Sequence, residues 1–495
     1  MVLLLVLVVV AMLSLGSYAF TDLMITHREA ADLAGRQLQT RLIVDSGIDA
    51  TRQFLSATPE DLQAAGGVYD NPDTFKGINV VQDEDPALRG SFAVVAPAIN
   101  DEGDFEGVRH GLEDESARLN LNTLLIADDM QPGAGRTLLM ALPGMTEDIA
   151  DAILDWMDPD TEARDLGAED DHYSGLNPPY AAKNGPLETV EELLLVRGVT
   201  PQLLFGADAN RNGTLDPVEG ASGDVDTANL RGWASLLTLH SQEMNQNPKG
   251  EPRIYLNEPD LNKLQQSLTA VMPSEWVTFI LAYRRYGPYS GSERGQQGIV
   301  ETIDTSQPGR AVLSQVLDLV GARVQLPANG NSTATVIASP FEDSIASMNV
   351  TLPVLLDHCT INPSEKIPGR ININQAPACI LRGIPGMNDD MVSRILSARI
   401  PESTEEKPGR RHETWLAAEG ILTLTEMRQM APYMTCRGSV FRGQIVGYFE
   451  GGTTASRAEV IFDSTSKPTQ VLFWRDISHL GRGYAVQTLG VGFTE

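Results

Sequence analysis

The pattern of apolar and polar positions divides the chain into a long helix, two groups of strands and a repeated helical section between them. The first stretch, residues 2–20, carries no charge, and only Ser14, Gly16 and Ser17 interrupt its apolar residues. As a helix it would reach about 28 Å, enough to span a bilayer. A cleaved signal sequence usually begins with basic residues and ends at a small-residue cleavage site, which fits poorly here. We therefore predict a retained membrane helix, with a removed signal or another anchor as the alternative.

The helical pattern continues beyond the membrane stretch. The first charges are Asp22 and Arg28, and no proline occurs before Pro59. Apolar residues recur at three- and four-residue steps as a drifting stripe: Ala31, Ala34, Leu38, Leu42, Val44, Ile48 and Leu55. We predict one helix over residues 1–57, half in lipid and half outside it.

Two segments far apart in the chain have the pattern of strands. Residues 58–118 begin with a turn-rich stretch and continue with short apolar runs separated by Gly, Asp and Asn. Residues 436–495 contain three β-rich pieces separated by Gly451-Gly452 and Lys467-Pro468. The outer half of the N-terminal helix must bury its apolar stripe on a sheet. We therefore predict an α+β fold in which a long membrane helix packs on one small antiparallel sheet and the intervening residues are inserted into it.

The inserted section repeats itself. The sequence Arg-Leu-Asn-Leu-Asn at 118–122 recurs as Arg-Ile-Asn-Ile-Asn at 370–374, and residues 139–154 recur as 381–396. Duplication at this fidelity predicts two copies of one helical unit, residues 119–223 and 356–435. Residues 224–355 between them remain unassigned, apart from two helices expected on either side of Pro273 and a polar linker over 325–343.

Each copy has the pattern of a helix-hairpin-helix element. A short helix ends at Pro-Gly-Met, the glycine allows a tight turn, and Thr146 or Asn388 is placed to cap the next helix. Such elements often bind DNA phosphates with the help of Lys or Arg. Here acidic residues follow the turn, and the 66 acidic against 37 basic residues give a formal charge of −29. We therefore expect no nucleic acid partner.

The strongest local motif predicts a Ca²⁺ site. The segment DANRNGTLDPVE meets the spacing D-x-[DN]-x-[DN]-G-x₅-E, which arranges oxygen ligands around a tight turn. The alternative is an Asn/Asp-rich turn without a cation. The flanking helices are short or absent, so a structural Ca²⁺ site fits better than a sensor. The predicted ligands are Asp208, Asn210, Asn212, Asp216 and Glu219 by their side chains and Thr214 by its carbonyl.

A second acidic cluster follows the first copy of the Pro-Gly-Met turn. Several carboxylates on a Pro- and Gly-bent loop repel one another unless water solvates them or a cation bridges them. From the residues alone, a solvated loop and a second Ca²⁺ site are about equally supported. The cluster contains Asp155, Asp158, Asp160, Glu169, Asp170 and Asp171.

Catalytic motifs do not emerge from the sequence. The seven histidines are scattered without an H-x-x-x-H pair, the three cysteines lack metal-ligand spacing, and a nucleophile-elbow motif is not found. We therefore predict that the protein is not an enzyme.

Taken together, these segments resemble the K-type minor pseudopilins of the type II secretion system (general secretion pathway protein K). The resemblance rests on the N-terminal apolar helix, ARLNLN, DWMDPD with GAEDDHY, NGPLETVEELLLVRGV, GRININQAPACILRGIPGM and the β-rich end. It implies a pilin-like domain with a large helical insert, bound Ca²⁺ near the insert, and a place at the pseudopilus tip. It also gives weight to Asp158, Asp160, Glu169 and Asp170 as Ca²⁺ ligands.

The resemblance further implies location and partners. The protein would cross the inner membrane once, hold its globular part in the periplasm, and contact other minor pseudopilins through its N-terminal helix and head, with secreted proteins as further partners. In pilin-like filaments an acidic residue near the fifth position pairs with the N-terminal ammonium of a neighbour, and this chain has Leu5. If Met1 lies near the mature N-terminus, we expect a subunit with no neighbour above it, that is, a cap.

Two hypotheses from other classes stay open at this point. A membrane-anchored DNA-uptake receptor would also join an N-terminal helix to helix-hairpin-helix elements, but it should present a basic face. A secreted Ca²⁺-dependent adhesion or scaffold protein would explain the Ca²⁺ motif, but not a continuous helix through residue 55.

Overall fold

In a computed structural model of the protein, the N-terminal residues form one unbroken helix, α1 (Val2–Leu55). The structure describes residues 1–100, 102–213, 219, 231–297, 303–327, 334–402, 407–452 and 454–490. The first buried residue of α1 is Thr40, so its N-terminal part contacts little of the rest of the chain. This part is long and apolar enough to cross a membrane. The predicted continuous helix is confirmed, and it indicates a single-pass membrane anchor.

The outer half of α1 packs on a sheet, as its apolar stripe requires. Ile43, Val44 and Leu55 share a buried core with Phe92, Ile445, Phe462 and other strand residues. Glycine makes the close approach possible, because a Cβ on Gly447 would lie only 2.4 Å from the carbonyl oxygen of Thr40. The Thr40 hydroxyl also hydrogen-bonds to that of Ser456 at 2.8 Å.

Two short helices and the first strands follow α1. They are α2 (Pro59–Ala64), α3 (Pro72–Phe75), β1 (Ile78–Val81), β2 (Gly90–Ile99), β3 (Phe105–His110) and β4 (Glu113–Asp114). Each of β1 and β3 pairs antiparallel with β2. This is the meander that the sequence predicts for residues 58–118.

The section at residues 119–238 begins and ends with a short strand, and it extends beyond the first copy predicted at residues 119–223. Its elements are β5 (Leu119–Asn120), α4 (Leu124–Met130), α5 (Ala134–Leu139), α6 (Glu147–Met157), α7 (Asp170–Tyr173), α8 (Pro201–Phe205) and β6 (Leu237–Thr238). Strands β5 and β6 pair in parallel. The pairing places Leu237 and Thr238, which the sequence left unassigned, beside the start of the first copy.

The section at residues 242–368 covers most of the unassigned middle region and the start of the second copy predicted at residues 356–435. It contains β7 (Gln242–Met244), β8 (Ile254–Tyr255), α9 (Leu261–Thr269), α10 (Ser274–Tyr286), β9 (Arg323–Leu326), β10 (Thr335–Ala338), α11 (Ile345–His358), β11 (Cys359–Thr360) and β12 (Lys366–Pro368). The two helices expected around Pro273 are confirmed. The polar linker predicted over 325–343 is wrong in part, because β9 and β10 pair antiparallel and bury Val324, Leu326 and Ile337.

The section at residues 371–435 also begins and ends with a two-residue strand, while the helix-hairpin-helix repeat of the two copies stays a prediction. Its elements are β13 (Ile371–Asn372), α12 (Ala378–Arg382), α13 (Asp389–Ala398), α14 (Trp415–Ala418), α15 (Leu424–Met430) and β14 (Met434–Thr435). Strands β13 and β14 again pair in parallel. The repeated asparagines act alike: Asn120 accepts the N–H of Asn122 at 3.1 Å, and Asn372 accepts that of Asn374 at 3.0 Å. Both copies and the region between them share one hydrophobic core.

The turns at Pro-Gly-Met show why the glycine is needed. Gly144 has φ 71° and Gly386 has φ 90°, values that residues with a Cβ rarely adopt. Asn388 caps α13 through the N–H of Met391 at 2.9 Å, as predicted. The predicted cap by Thr146 is wrong, because its hydroxyl hydrogen-bonds to the carboxylate of Asp148 instead.

The chain returns to the sheet after the second copy. The last elements are β15 (Val440–Phe449), β16 (Ala455–Asp463), β17 (Gln470–Asp476) and α16 (Val486–Leu489). The sheet has the order β1-β2-β15-β16-β17, with β3 beside β2 and β4 beside β15. Strand β15 pairs antiparallel with β2 from Gln444 and Val95 to Phe449 and Gly90. The prediction that strands on both sides of the insert belong to one sheet is therefore confirmed.

Candidate metal centres

Three carboxylates of the second acidic cluster come together at the end of α6. Asp158 and Asp160 lie on either side of Pro159, and Glu169 directly precedes α7. One carboxylate oxygen from each of Asp158, Asp160 and Glu169 lies within 4.8 Å of the others. Asp158 and Glu169 are buried, whereas Asp160 is exposed. Oxygen atoms of this type are the ligands that Ca²⁺ prefers.

The buried carboxylates of this cluster favour the binding of a positive charge. Both carboxylate oxygens of Glu169 and Oδ1 of Asp158 are buried without a hydrogen-bond donor among the described residues. Burial, with the carboxylates of Asp158 and Asp155, raises the pKa of Glu169 to about 7. Burial also raises the pKa of Asp158, although Arg164 offsets part of this effect. Buried carboxylates without donors are costly unless a cation binds them, so the three residues fit a divalent cation.

Arg164 is a residue of this cluster that the sequence analysis did not name. Its guanidinium donates to Asp155 at 2.6 Å and also to Asp158. Asp155 is thus already paired with a cation, which leaves Asp160 and Glu169 as the carboxylates that the arginine does not bond. The signal was present in the sequence as one basic residue within the acidic run DTEARDLGAEDD.

Asp170 stands apart from the group. Its Oδ1 accepts the backbone N–H of Ala182 at 2.8 Å, which fixes the following loop. Its role as a Ca²⁺ ligand stays a prediction.

The 208–219 loop is described in part. Thr214 and Asp216, two of its predicted ligands, lie outside the described residues. Asp208 accepts the N–H groups of Asn212 at 3.1 Å and Gly213 at 2.9 Å, and Asn210 Oδ1 accepts the N–H of Asn212 at 2.9 Å. Glu219, at the far end of the loop, accepts the N–H of Asn210 at 3.2 Å. The side chains of Asp208 and Glu219, eleven positions apart, thereby bind the same turn at residues 210–213.

The backbone of this loop turns as tightly as a cation site requires. Arg211 has φ 55° and Gly213 has φ 76°, so two of three successive residues lie in the left-handed region. Burial raises the pKa of Asp208, while the N–H of Gly213 and the guanidinium of Arg231 oppose this shift. The described part of the loop therefore fits a wrapped oxygen site.

Comparison with known proteins identifies the section that contains the acidic cluster. Residues 117–205 match the model of the family described as type II secretion system (T2SS), protein K. The second candidate site begins three residues beyond this match.

Two curated relatives have the same description. Type II secretion system protein K of Aeromonas hydrophila is 46% identical over 56 residues, which cover 11% of this chain and 17% of the relative. Type II secretion system protein K of Pseudomonas aeruginosa is 35% identical over 97 residues, 18% of this chain and 29% of the relative. The matched part of the chain thus spans less than a third of either relative.

A solved structure is similar over a longer range. The crystal structure of the GspK-GspI-GspJ complex from the enterotoxigenic Escherichia coli type 2 secretion system contains a chain that aligns with 89% of this chain and 97% of its own length. The sequence identity is 12% and the TM-score is 0.38. The family match confirms over residues 117–205 the resemblance that the sequence predicts: this section of the chain is similar to type II secretion system protein K.

Proposed function

We propose that this protein is a minor pseudopilin that caps the pseudopilus tip of a type II protein secretion system. It is a non-enzymatic assembly component, with its helix in the inner membrane and its globular part in the periplasm. The observation that carries the proposal is the protein K match at residues 117–205, which lie between β4 and β15 of a sheet that packs on a membrane-length helix.

The size of the insert supports a terminal position. The two copies and the region between them make up most of the chain and share one core. Such an enlarged head would collide with subunits stacked closely along a fibre, but it projects freely from the end. The N-terminal part of α1, which is exposed before residue 36, is then available to the helices of smaller minor pseudopilins beneath the head.

Cross-linking tests this position. Single cysteines introduced along residues 2–20 should cross-link to one lateral set of partner pseudopilins, because a cap has neighbours only beside and below its helix. The wild-type chain, in which Cys359 and Cys436 are buried, is the control. Self-cross-links at a regular axial repeat would instead make the protein an ordinary fibre subunit.

The proposal includes Ca²⁺ at both candidate centres. Asp158, Asp160 and Glu169 would hold one ion, and the 208–219 loop would hold another through Asp208, Asn210, Asn212, Thr214, Asp216 and Glu219. Bound Ca²⁺ would neutralise buried carboxylates and fix two loops of the first helical copy.

Removal of Ca²⁺ should lower the thermal stability of the full-length protein. A ligand that binds only the folded state adds about 2.7 kcal/mol at about a hundredfold excess over Kd. Glu169→Gln should reduce the shift in Tm between Ca²⁺ and chelator without lowering Tm in chelator, because it removes a buried charge that lacks a donor. Asp171→Asn, a neighbouring exposed carboxylate, is the matched control and should keep the full shift. Equal midpoints with and without Ca²⁺ would contradict the metal assignment.

A further inference from the structure

Three successive residues of the 208–219 loop contact the sheet and the segment that follows β17. Gln444 Nε2 on β15 donates to the carbonyl oxygen of Arg211 at 2.6 Å. The Arg457 guanidinium on β16 donates to the carbonyl oxygen of Asn210. Asn212 Nδ2 donates to the carbonyl oxygen of Gly483 at 2.8 Å. We call these three hydrogen bonds the loop–sheet contact.

The loop–sheet contact is buried and closely fitted. Asn212 is 3% exposed and Arg457 is 1% exposed. Gly483 has φ 75°, and a Cβ at this position would lie 3.4 Å from Cβ of Asn212 and overlap the Arg457 guanidinium. Tyr484 supports the contact from the sheet side, since its hydroxyl donates to Gln444 Oε1 at 2.8 Å. No larger residue than glycine fits at 483 without a shift in its neighbours.

Different atoms of the loop form the contacts within the loop and the contacts to the sheet. The side-chain oxygens of Asp208, Asn210 and Glu219 turn into the loop, where they accept backbone N–H groups. The carbonyl oxygens of Asn210 and Arg211 turn outward to the sheet. Asn212 serves both directions, because its amide nitrogen binds Gly483 while its amide oxygen is the group that the Ca²⁺ motif assigns to the cation.

We infer that Ca²⁺ bound by the 208–219 loop stabilises the packing of the first helical copy on the sheet, and that Asn212 transmits this effect to the C-terminal segment, residues 477–490. The inference rests on the proposed Ca²⁺ site. Fixing the Asn212 amide oxygen on the ion orients the same amide's N–H groups toward Gly483. Without the ion, the loop loses more conformational entropy when it forms all three hydrogen bonds.

Two substitutions that each add one negative charge distinguish Ca²⁺ binding by the loop from the effect of this binding on residues 477–490. Asn212→Asp retains an oxygen ligand that the motif allows but loses the N–H donor and places a carboxylate oxygen against the carbonyl of Gly483. Asn210→Asp adds the same charge two residues earlier and leaves both the Asn212 amide and its own backbone carbonyl in place. Asp208→Ala removes the first ligand of the loop. Its titration therefore shows the heat that is measured when this loop does not bind Ca²⁺.

The experiment measures Ca²⁺ titration by calorimetry and hydrogen exchange of the full-length protein in detergent, with Ca²⁺ and with chelator. In the wild type and in Asn210→Asp, Ca²⁺ should slow exchange in peptides from 477–490 by about tenfold, the effect of one hydrogen bond. In Asn212→Asp, Ca²⁺ should still bind but leave the exchange of this segment unchanged.

The outcomes distinguish this inference from the metal site on which it depends. Protection of 477–490 by Ca²⁺ in Asn212→Asp, or Ca²⁺ binding by the wild-type loop without any protection there, would overturn the inference alone. A wild-type titration identical to that of Asp208→Ala would overturn the loop as a Ca²⁺ site and the inference with it. The proposed place at the pseudopilus tip is tested separately by the cross-links.

Discussion

A chain that ends before Arg437 should fail to form its sheet. Strand β15 pairs with β2, β4 and β16, so the truncation removes the centre of the sheet together with β16 and β17. It also removes Ile445, Phe449 and Phe462 from the core beneath α1. Strand β2 would then present an unpaired edge with buried apolar residues, and such edges aggregate.

Size-exclusion chromatography and thermal melting in detergent would measure this loss. We expect aggregates, and no cooperative transition for the sheet. The matched control is a chain that ends at Gly490, which removes none of the residues that the structure describes and should melt like the wild type. A soluble truncated chain with a cooperative transition would show that the helical section folds without the sheet.

The long helix and the sheet could be predicted because each has a regular pattern over many residues. The apolar stretch and the stripe that follows it predicted α1 over residues 1–57, within two residues of its end at Leu55. The three β-rich pieces near the C-terminus are β15, β16 and β17. Their pairing with β2 followed from topology, since an economical chain returns to the sheet it left.

Other features could not be predicted because they depend on contacts between distant residues. Strands β5, β6, β13 and β14 have two residues each, too few to show a pattern. The β9–β10 pair resembled a polar linker because mostly polar and small residues separate its two short apolar runs in the sequence. Nothing near Asn212 in the sequence indicates that its amide binds Gly483, which lies 271 positions later.

The ligands of the acidic cluster could also be predicted only in part, although they lie within a short segment. The sequence identified Asp158, Asp160 and Glu169 as carboxylates on one bent loop, and the structure brings their oxygens together. Composition alone could not distinguish them from Asp155, which Arg164 neutralises. The family resemblance left Asp155 out but kept Asp170, which accepts a backbone N–H. Which carboxylates lack a partner depends on side-chain directions that composition does not encode.

Glu115 joins the sheet to the first helical copy through buried charges. It directly follows β4 and is fully buried. Its Oε1 accepts from Arg442 Nε on β15, and its Oε2 accepts from the hydroxyl of Thr238 on β6. Arg442 also donates to Glu459 on β16 at 2.8 Å. One carboxylate thus connects elements of the sheet with the strand pair of the first copy.

Glu115→Ala should destabilise the protein by about 3–5 kcal/mol, because it leaves Arg442 buried with half of its compensating charge and leaves Thr238 without its acceptor. The triple variant Glu115→Leu, Arg442→Met and Glu459→Leu should recover much of this loss, since apolar residues replace all three linked charges and leave neither carboxylate without its arginine. Chemical denaturation at neutral pH measures both. A Glu115→Ala variant within about 1 kcal/mol of the wild type would show that the ion pair contributes little.

The same carboxylate should contribute to unfolding in acid. Burial alone would raise its pKa, but Arg442 and Arg118 outweigh burial and hold the pKa of Glu115 at about 2. A folded-state pKa below the unfolded value of about 4.5 stabilises the protein above pH 4.5, and this contribution is lost as the pH falls toward 2. The stability difference between the wild type and Glu115→Gln should therefore shrink as the pH is lowered through this interval. Denaturation curves at a series of pH values would measure it, and a difference that stays constant across the interval would place the acid sensitivity at other carboxylates.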